Sequence, residues 1–336
     1  MGKKTTLKDI ARCAGLNATT VSRALQDSPL VAEQTRRRVQ ALADELNYIP
    51  NLNAKYLRGS KTNIVGLIVD DNTNPYYAHI IQAVQSYLRE KGFFTLIFNN
   101  YENVDDEIEI IKTMCSFNVA GVLLTPARGN GRSVELLRAN GVPYVLISRY
   151  VQEGEDNYVV VDDEMAAYLA ARHMLSRYCR KTFFLNQFHG ITTVDRRTDG
   201  YLRALREFGI TPEPDWVVYN CATRECGYEA MQKLVRLQRA PFSVLCYNDY
   251  VAEGVLTAIY DGNYRIPEEI SVIGIDNVEP FSIGQLRLST VDVHMREIAR
   301  ISVERLLVLI DNENERNFRK SEQITISPEL IVGDTT

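Results

Sequence analysis

Residues 6–25, TLKDIARCAGLNATTVSRAL, decide how the start of this chain folds. Leu7, Ile10, Ala11 and Ala14 recur at i, i+3, i+4 and i+7, one apolar stripe on a short helix. Thr6 precedes the stripe with Asp9 three residues on, the spacing of a capping box, and Gly15 supplies the stop. Asn17 is a good N-cap for a second helix whose inner face is Ala18, Val21 and Leu25. Two helices joined by a short Gly-containing turn form a helix-turn-helix unit, and Val39, Leu42, Ala43 and Leu46 supply a third stripe to close its core. The outer face then carries Asn17, Thr19, Thr20, Ser22 and Arg23, short hydrogen-bonding or cationic side chains suited to a major groove. A solvated helical hairpin would carry the same residues.

Beyond Tyr48-Ile49-Pro50 the run from Asn51 to Gly59, NLNAKYLRG, has a helix start and a Gly stop. It is far shorter than the roughly 12–15 residues an isolated helix needs in water, so it is expected to order only against something else. Leu57 lies between Lys55 and Arg58, and an apolar wedge flanked by cations fits insertion at an opened minor-groove step.

Charge is distributed to match. The 336 residues have a formal net charge of −5, yet residues 1–60 hold ten Lys/Arg against five Asp/Glu, leaving 28 against 38 in the remainder. A basic arm on an acidic body predicts a nucleic-acid footprint at one end. With 45% hydrophobic and 24% charged residues the composition excludes collagen-like and disordered classes, and the length predicts two or three packed units. Apolar runs such as Ile64–Val69 fall far short of the roughly 20 residues of a spanning helix. The start MGKKTTLKDIARCAG lacks the apolar region of a signal peptide, which predicts a cytoplasmic protein. Cysteines 13, 115, 179, 221, 226 and 246 form no CxxC pair, predicting buried, reduced thiols, and the four scattered histidines give no metal signature.

From Ile64 the pattern becomes strand–helix alternation. Apolar runs at 64–69, 95–98, 121–124 and 144–147 are followed by a second series at 182–185, 217–219, 243–247 and 271–275. Continuously apolar strands between helices imply parallel sheets covered on both faces, here in two lobes. Residues 158–162 are expected to cross between the lobes and 288–293 to cross back. A helix over 294–311 is expected to rejoin the first lobe, and the last strands to return to the second.

Such lobes bind ligands in the cleft beyond the carboxyl ends of their strands. Polar and aromatic residues recur there: Asp70, Tyr76 and Tyr77 after the first strand, Ser148 and Arg149 after the fourth, Asn248 and Asp249 after 243–247, and Asp276 and Asn277 after 271–275. Arg197 belongs to an RxxGY motif with Gly200 and Tyr201. Carboxylates, an amide, a guanidinium and flat rings suit a polyhydroxylated ligand, although any of them could instead cap its own loop. Gly129-Asn130-Gly131 lacks the third glycine and acidic partner of a dinucleotide fingerprint, and no P-loop or GxSxG occurs. Asp105-Asp106-Glu107 reads as a solvated helix start, so the expectation is a protein with neither catalysis nor cofactor.

The strings TLKDIARCAGLNATTVSRAL, QTRRRVQALADELNYIPN (34–51) and AKYLRG (54–59) resemble the DNA-binding head and hinge of the lactose/galactose repressor family. The remainder resembles the periplasmic-binding-protein-like core of the same family. The resemblance implies a head at 1–50, a hinge helix at 51–60 and a body at 61–336, the first lobe about 61–160 with 292–322 and the second about 161–291 with 323–336. It implies Ala18, Thr19 and Arg23 at base edges, with Thr6, Asn17, Thr20, Ser22, Thr35, Tyr48 and Asn51 on phosphates. Ala54 and Leu57 would enter the minor groove beside Arg58. Arg197, Asn248 and Asp276 would recognise an effector, with Asp249 beside them. The partners implied are a pseudo-palindromic operator in double-stranded DNA, a sugar-like small molecule and a second copy of the chain. The function implied is allosteric repression of a carbohydrate-utilisation operon; the alternative is a sugar-binding sensor without a DNA role. Departures from the pattern are the small Ala18 and Thr19, Ala32 where a serine cap is common, Val293-His294 where an amide is common, and Tyr178, Phe188 and His189.

Overall fold

The computed structural model describes residues 5–48, 62–129, 131–151, 155–178, 180–278, 286–312 and 321–336. The chain divides into two compact units, Met1–Lys61 and Thr62–Thr336.

The first unit contains α1 (Leu7–Ala14), α2 (Ala18–Ala24) and α3 (Glu33–Glu45). Both capping-box bonds form at α1: the Asp9 amide donates to Thr6 Oγ1 at 3.3 Å and the Thr6 amide to Asp9 Oδ2 at 3.0 Å. Gly15, at φ +64°, ends that helix in the left-handed region that costs glycine nothing. Asn17 Oδ1 caps α2 by accepting from the Thr20 amide at 2.7 Å, whereas Ala32 leaves α3 without a side-chain cap. Ile10, Val21 and Val39 are fully buried where the three helices meet, each burial contributing about 1.5–3 kcal/mol. Ala18, assigned by periodicity to the inner face, is half-buried and outside this core. In the run Arg36-Arg37-Arg38 two cations tie the helices together, Arg36 donating to Asp27 O at 3.0 Å and Arg38 to Ala14 O at 2.9 Å.

The second unit is α/β. Its first lobe runs β1 (Ile64–Val69), α4 (Pro75–Glu90), β2 (Phe94–Asn99), α5 (Val104–Ser116), β3 (Gly121–Leu124), α6 (Gly131–Ala139), β4 (Tyr144–Ile147) and β5 (Tyr158–Val161). The second runs α7 (Asp163–Tyr178), β6 (Thr182–Leu185), α8 (Thr192–Glu207), β7 (Val217–Val218), α9 (Arg224–Leu237), β8 (Phe242–Cys246), α10 (Asp249–Asp261) and β9 (Ile270–Ile273). The chain ends with β10 (Thr290–Asp292), α11 (Met295–Asp311), β11 (Gln323–Ile326) and β12 (Glu329–Ile331). The first sheet has the order β2-β1-β3-β4-β5-β11 and the second β7-β6-β8-β9, and every pairing in both is parallel. The inner strands β1, β3, β6 and β8 are buried on both faces, which is why they read as apolar runs. As expected, α11 packs on the first lobe, against α4 and strands β3 to β5.

Three expectations need correction. Gln323–Ile326 does not return to the second lobe; it adds to the first sheet beside β5, and only the residues after it go back, with β12 pairing β10 and Thr335 bonded to Val272. Glu107 is not solvated: it is buried, accepting from Asn100 Nδ2 at 2.6 Å and the Ala127 amide at 2.7 Å. Cys13 is exposed, whereas Cys221 and Cys246 are buried thiols.

Strand order reverses next to β1 in one sheet and next to β6 in the other, and the carboxyl ends of those strands are where such folds bind ligands. The helices that carry site residues are held at close range. A Cβ on Gly200 would lie 2.0 Å from Glu164 O, so only glycine lets α8 meet α7 this closely.

Candidate functional site

In the helical unit, Asn17, Thr19 and Arg23 are exposed on α2, with Ala18, Thr20 and Ser22 half-buried around them. The outer face therefore forms as its spacing predicts. Thr6 is exposed, while Thr35 and Tyr48 are half-buried. Thr6 and Asn17 already act as caps. Asn51, Ala54, Leu57 and Arg58 lie outside the described residues.

In the α/β unit a cavity of about 280 Å³ opens between the lobes at the two reversal points. Its second-lobe side is organised by Arg197, in the second turn of α8 and 5% exposed. Arg197 Nε donates to Asp163 Oδ1 at 2.8 Å, Nη1 donates to the Tyr247 carbonyl, and Nη2 lies 3.6 Å from Asp276 Oδ1. Its guanidinium also sits 4.8 Å from the centre of the Tyr247 ring, a cation–π contact. Two buried carboxyls thus share one cation. Burial pushes the Asp276 carboxyl up to about 7, with Arg197 pulling it down and Asp163 adding to the rise. Burial likewise raises Asp163 against the pull of Arg197. Asp276 stands at φ +126°, a conformation an aspartate holds only when its surroundings impose it.

The first-lobe side repeats the arrangement around Arg149, also 5% exposed. Arg149 bonds Glu102 through Nη1, donates to Tyr77 Oη at 2.8 Å and lies 3.7 Å from Asp70 Oδ2. Burial raises the Asp70 carboxyl to about 6, opposed by Arg149 and reinforced by Glu102. Tyr76 Oη bonds Ser148 Oγ at 2.7 Å, and the Tyr76 and Tyr77 rings meet edge to face 5.1 Å apart. Ser148 is at φ +68°, a turn that follows β4 directly.

Of the residues expected in this cleft, Asp70, Tyr76, Tyr77, Ser148, Arg197, Asn248 and Asp276 line the cavity. Asn248 doubles as the cap of α10, its Oδ1 accepting from the Val251 amide at 2.9 Å. Asp249 does not line it. Its carboxylate accepts from the Thr290 hydroxyl at 2.6 Å and the Val278 amide at 3.0 Å, tying β10 to the segment that carries Asp276. Phe188 lines the cavity mouth, whereas His189 stacks on Tyr219 instead. Sequence reasoning missed Glu102 and Asp163 among the lining residues. Both follow strands at their carboxyl ends, β2 and β5, a signal as strong as the ones that were read. Together these groups offer carboxylates that accept from hydroxyls and flat rings that cover C–H faces.

The model of the lacI family, described as bacterial regulatory proteins, matches residues 6–51, and that of a periplasmic binding protein-like domain matches residues 171–336. The HTH-type transcriptional regulator GalR of Escherichia coli (strain K12) is 32% identical over 307 residues, 91% of this chain and 90% of that protein. The HTH-type transcriptional repressor PurR of Mannheimia succiniciproducens is 30% identical over 97% of both chains. Among solved structures, the lac repressor dimer bound to operator and the anti-inducer ONPF superimposes with a TM-score of 0.85 at 23% identity over 99% of each chain. The CelR–cellobiose complex gives 0.74 at 24% identity, over 99% of this chain and 100% of that one. At those identities the two structures speak for the fold.

Proposed function

Because the chain belongs to the lacI family of bacterial regulatory proteins, we propose that it is a dimeric repressor of a carbohydrate-utilisation operon, its operator affinity set by a sugar-like effector in the cleft. The reading rests on one observation above the rest: two arginine-centred carboxylate clusters and a set of tyrosines converge on one cavity at the reversal points of both sheets. Arg197, Asp276 and Asn248 would take ligand hydroxyls from the second lobe, and Asp70, Tyr76, Tyr77 and Ser148 would meet the ligand from the first. Asp249 positions the Asp276 segment without touching the ligand.

On the DNA side, Ala18, Thr19 and Arg23 would read base edges, Arg23 to a guanine being worth about 1–3 kcal/mol. Thr6, Asn17, Thr20, Ser22, Thr35, Tyr48 and Asn51 would hold phosphates. Ala54, Leu57 and Arg58 would act at the centre of a pseudo-palindromic site. A ligand bound between the lobes favours the closed cleft, and closure that separates the two hinge segments lowers operator affinity by population shift. The test is selection of a binding sequence from random duplexes, followed by footprinting with a panel of sugars and nucleobases. The expected outcome is a symmetric protected sequence whose protection one of the sugars alters. Absence of any symmetric footprint, with or without the panel, refutes the reading.

A further inference from the structure

We infer that the cleft is a charge filter: it admits uncharged polyhydroxylated ligands and turns away anionic ones, sugar phosphates and sugar acids among them. The inference rests on the proposed reading of this cavity as the effector site and adds the ligand's charge class.

The lining carries five carboxyl groups, Asp70, Asp71, Glu102, Asp163 and Asp276, and among the described lining residues the only cations are Arg149 and Arg197. An arginine in a cleft ordinarily invites a phosphate or carboxylate, because its fork of donors matches their oxygens. Here both forks are turned onto the protein itself. Arg197 donates through Nε to Asp163 and through Nη1 to the Tyr247 carbonyl, and its Nη2 faces Asp276 at 3.6 Å. Arg149 donates to Glu102 and Tyr77 and faces Asp70.

The other ordinary anion sites in such folds are the amides at helix N-termini. Three of those that open on this cavity are filled by side chains that line it, while the start of α8, where Thr193 lines the cavity, carries no side-chain cap. Asn74 accepts from the Tyr76 amide at 3.0 Å, Thr223 from the Cys226 amide at 3.3 Å, and Asn248 from the Val251 amide at 2.9 Å. The helix that follows β5 opens instead with Asp163 itself. An incoming phosphate, with a charge of about −1.5 to −2, would therefore meet five carboxyls and two guanidiniums already bonded within the protein, a balance that the bare start of α8 does not reverse. A ligand hydroxyl, by contrast, donates to those carboxylates and adds no charge.

Two measurements on the full-length protein test this. The first is calorimetric titration with matched pairs: glucose and glucose 6-phosphate, galactose and galacturonate, adenosine and adenosine monophosphate. For any neutral member that binds, the anionic partner is expected to bind at least about 100-fold more weakly, as like-charge juxtaposition demands. Anionic binding equal to or tighter than neutral overturns the filter. If only the nucleoside pair binds and the gap persists, the sugar reading falls and the filter stands. The second uses inorganic phosphate alone in thermal denaturation, and so needs no knowledge of the ligand. Phosphate is expected to leave the melting temperature of the natural protein unchanged, and to raise that of the folded D70N/E102Q variant, in which Arg149 has no carboxylate partner. Phosphate stabilisation of the natural protein that Arg149→Met abolishes, or its absence in the folded double variant, overturns the proposal.

Discussion

Asp276 is drawn to Arg197 and at the same time penalised by burial, and burial prevails, since its carboxyl sits near 7 against an ordinary value of 3.8. The consequence for stability has a definite sign. A carboxyl whose folded value is raised holds its proton longer in the native state, so its favourable contribution is complete below about pH 4 and is lost as pH climbs to about 7. At about 1.4 kcal/mol per unit, an ionised Asp276 costs at most ~4 kcal/mol at pH 8. Asp276→Asn keeps the shape and removes that charge, leaving Arg197 paired with Asp163. In urea titrations the variant is expected to gain on the natural protein at pH 8 and to lose that advantage at pH 5. An equal difference at both values would mean that Asp276 does not titrate in this range. Neighbouring carboxylates also mark a limit of the sequence. Asp249 and Asp276 both follow strands of the second lobe. Only the helix cap and β10 decide that one anchors a loop while the other meets the cavity.

At the scale of elements, strand–helix alternation was legible because parallel strands buried on both faces are apolar along nearly their whole length. The partner of Gln323–Ile326 was not. That segment is partly exposed, and which sheet offers it an open edge is a property of the assembled topology. Glu102 and Asp163 escaped for a related reason: acids shortly after a strand are common, and what sets these two apart is the guanidinium that lies across the fold. The RxxGY motif is the instructive middle case. Its residues were singled out, but only the helix crossing divides their labour: Arg197 faces the cavity, Gly200 rests on α7, and Tyr201 donates to the Thr182 carbonyl at 2.7 Å. A methyl group at position 200 would collide with backbone rather than with a flexible side chain. Gly200→Ala is therefore expected to destabilise by about 1–3 kcal/mol and, by pushing α8 away from α7, to misplace Arg197. Calorimetry should show weakened ligand binding together with a lower melting temperature. Retention of full affinity would separate the helix contact from the site.

Across the whole chain, a basic end with ten Lys/Arg and five Asp/Glu is joined to a body with 28 and 38. Duplex DNA is attracted by the first and repelled by the second, which confines a polyanion to the helical unit and leaves the cavity to a different class of molecule. If both ligands act on one equilibrium, as the proposed function requires, their effects on each other are bound by thermodynamics. The factor by which effector changes operator affinity must equal the factor by which operator changes effector affinity, and for allosteric proteins it is typically about 5–150-fold. That equality holds whether the small molecule releases the protein from DNA or secures it there. It can be checked by titrating effector into the protein with and without saturating operator duplex, at one salt concentration because DNA affinity varies steeply with salt. The two factors are expected to agree, and Arg197→Ala is expected to reduce both to one while leaving operator affinity without effector in place. If operator affinity responds to the small molecule but its own dissociation constant ignores the operator, the molecule is not acting by binding this protein; if Arg197→Ala leaves both factors intact, it binds elsewhere than in the cleft between the lobes.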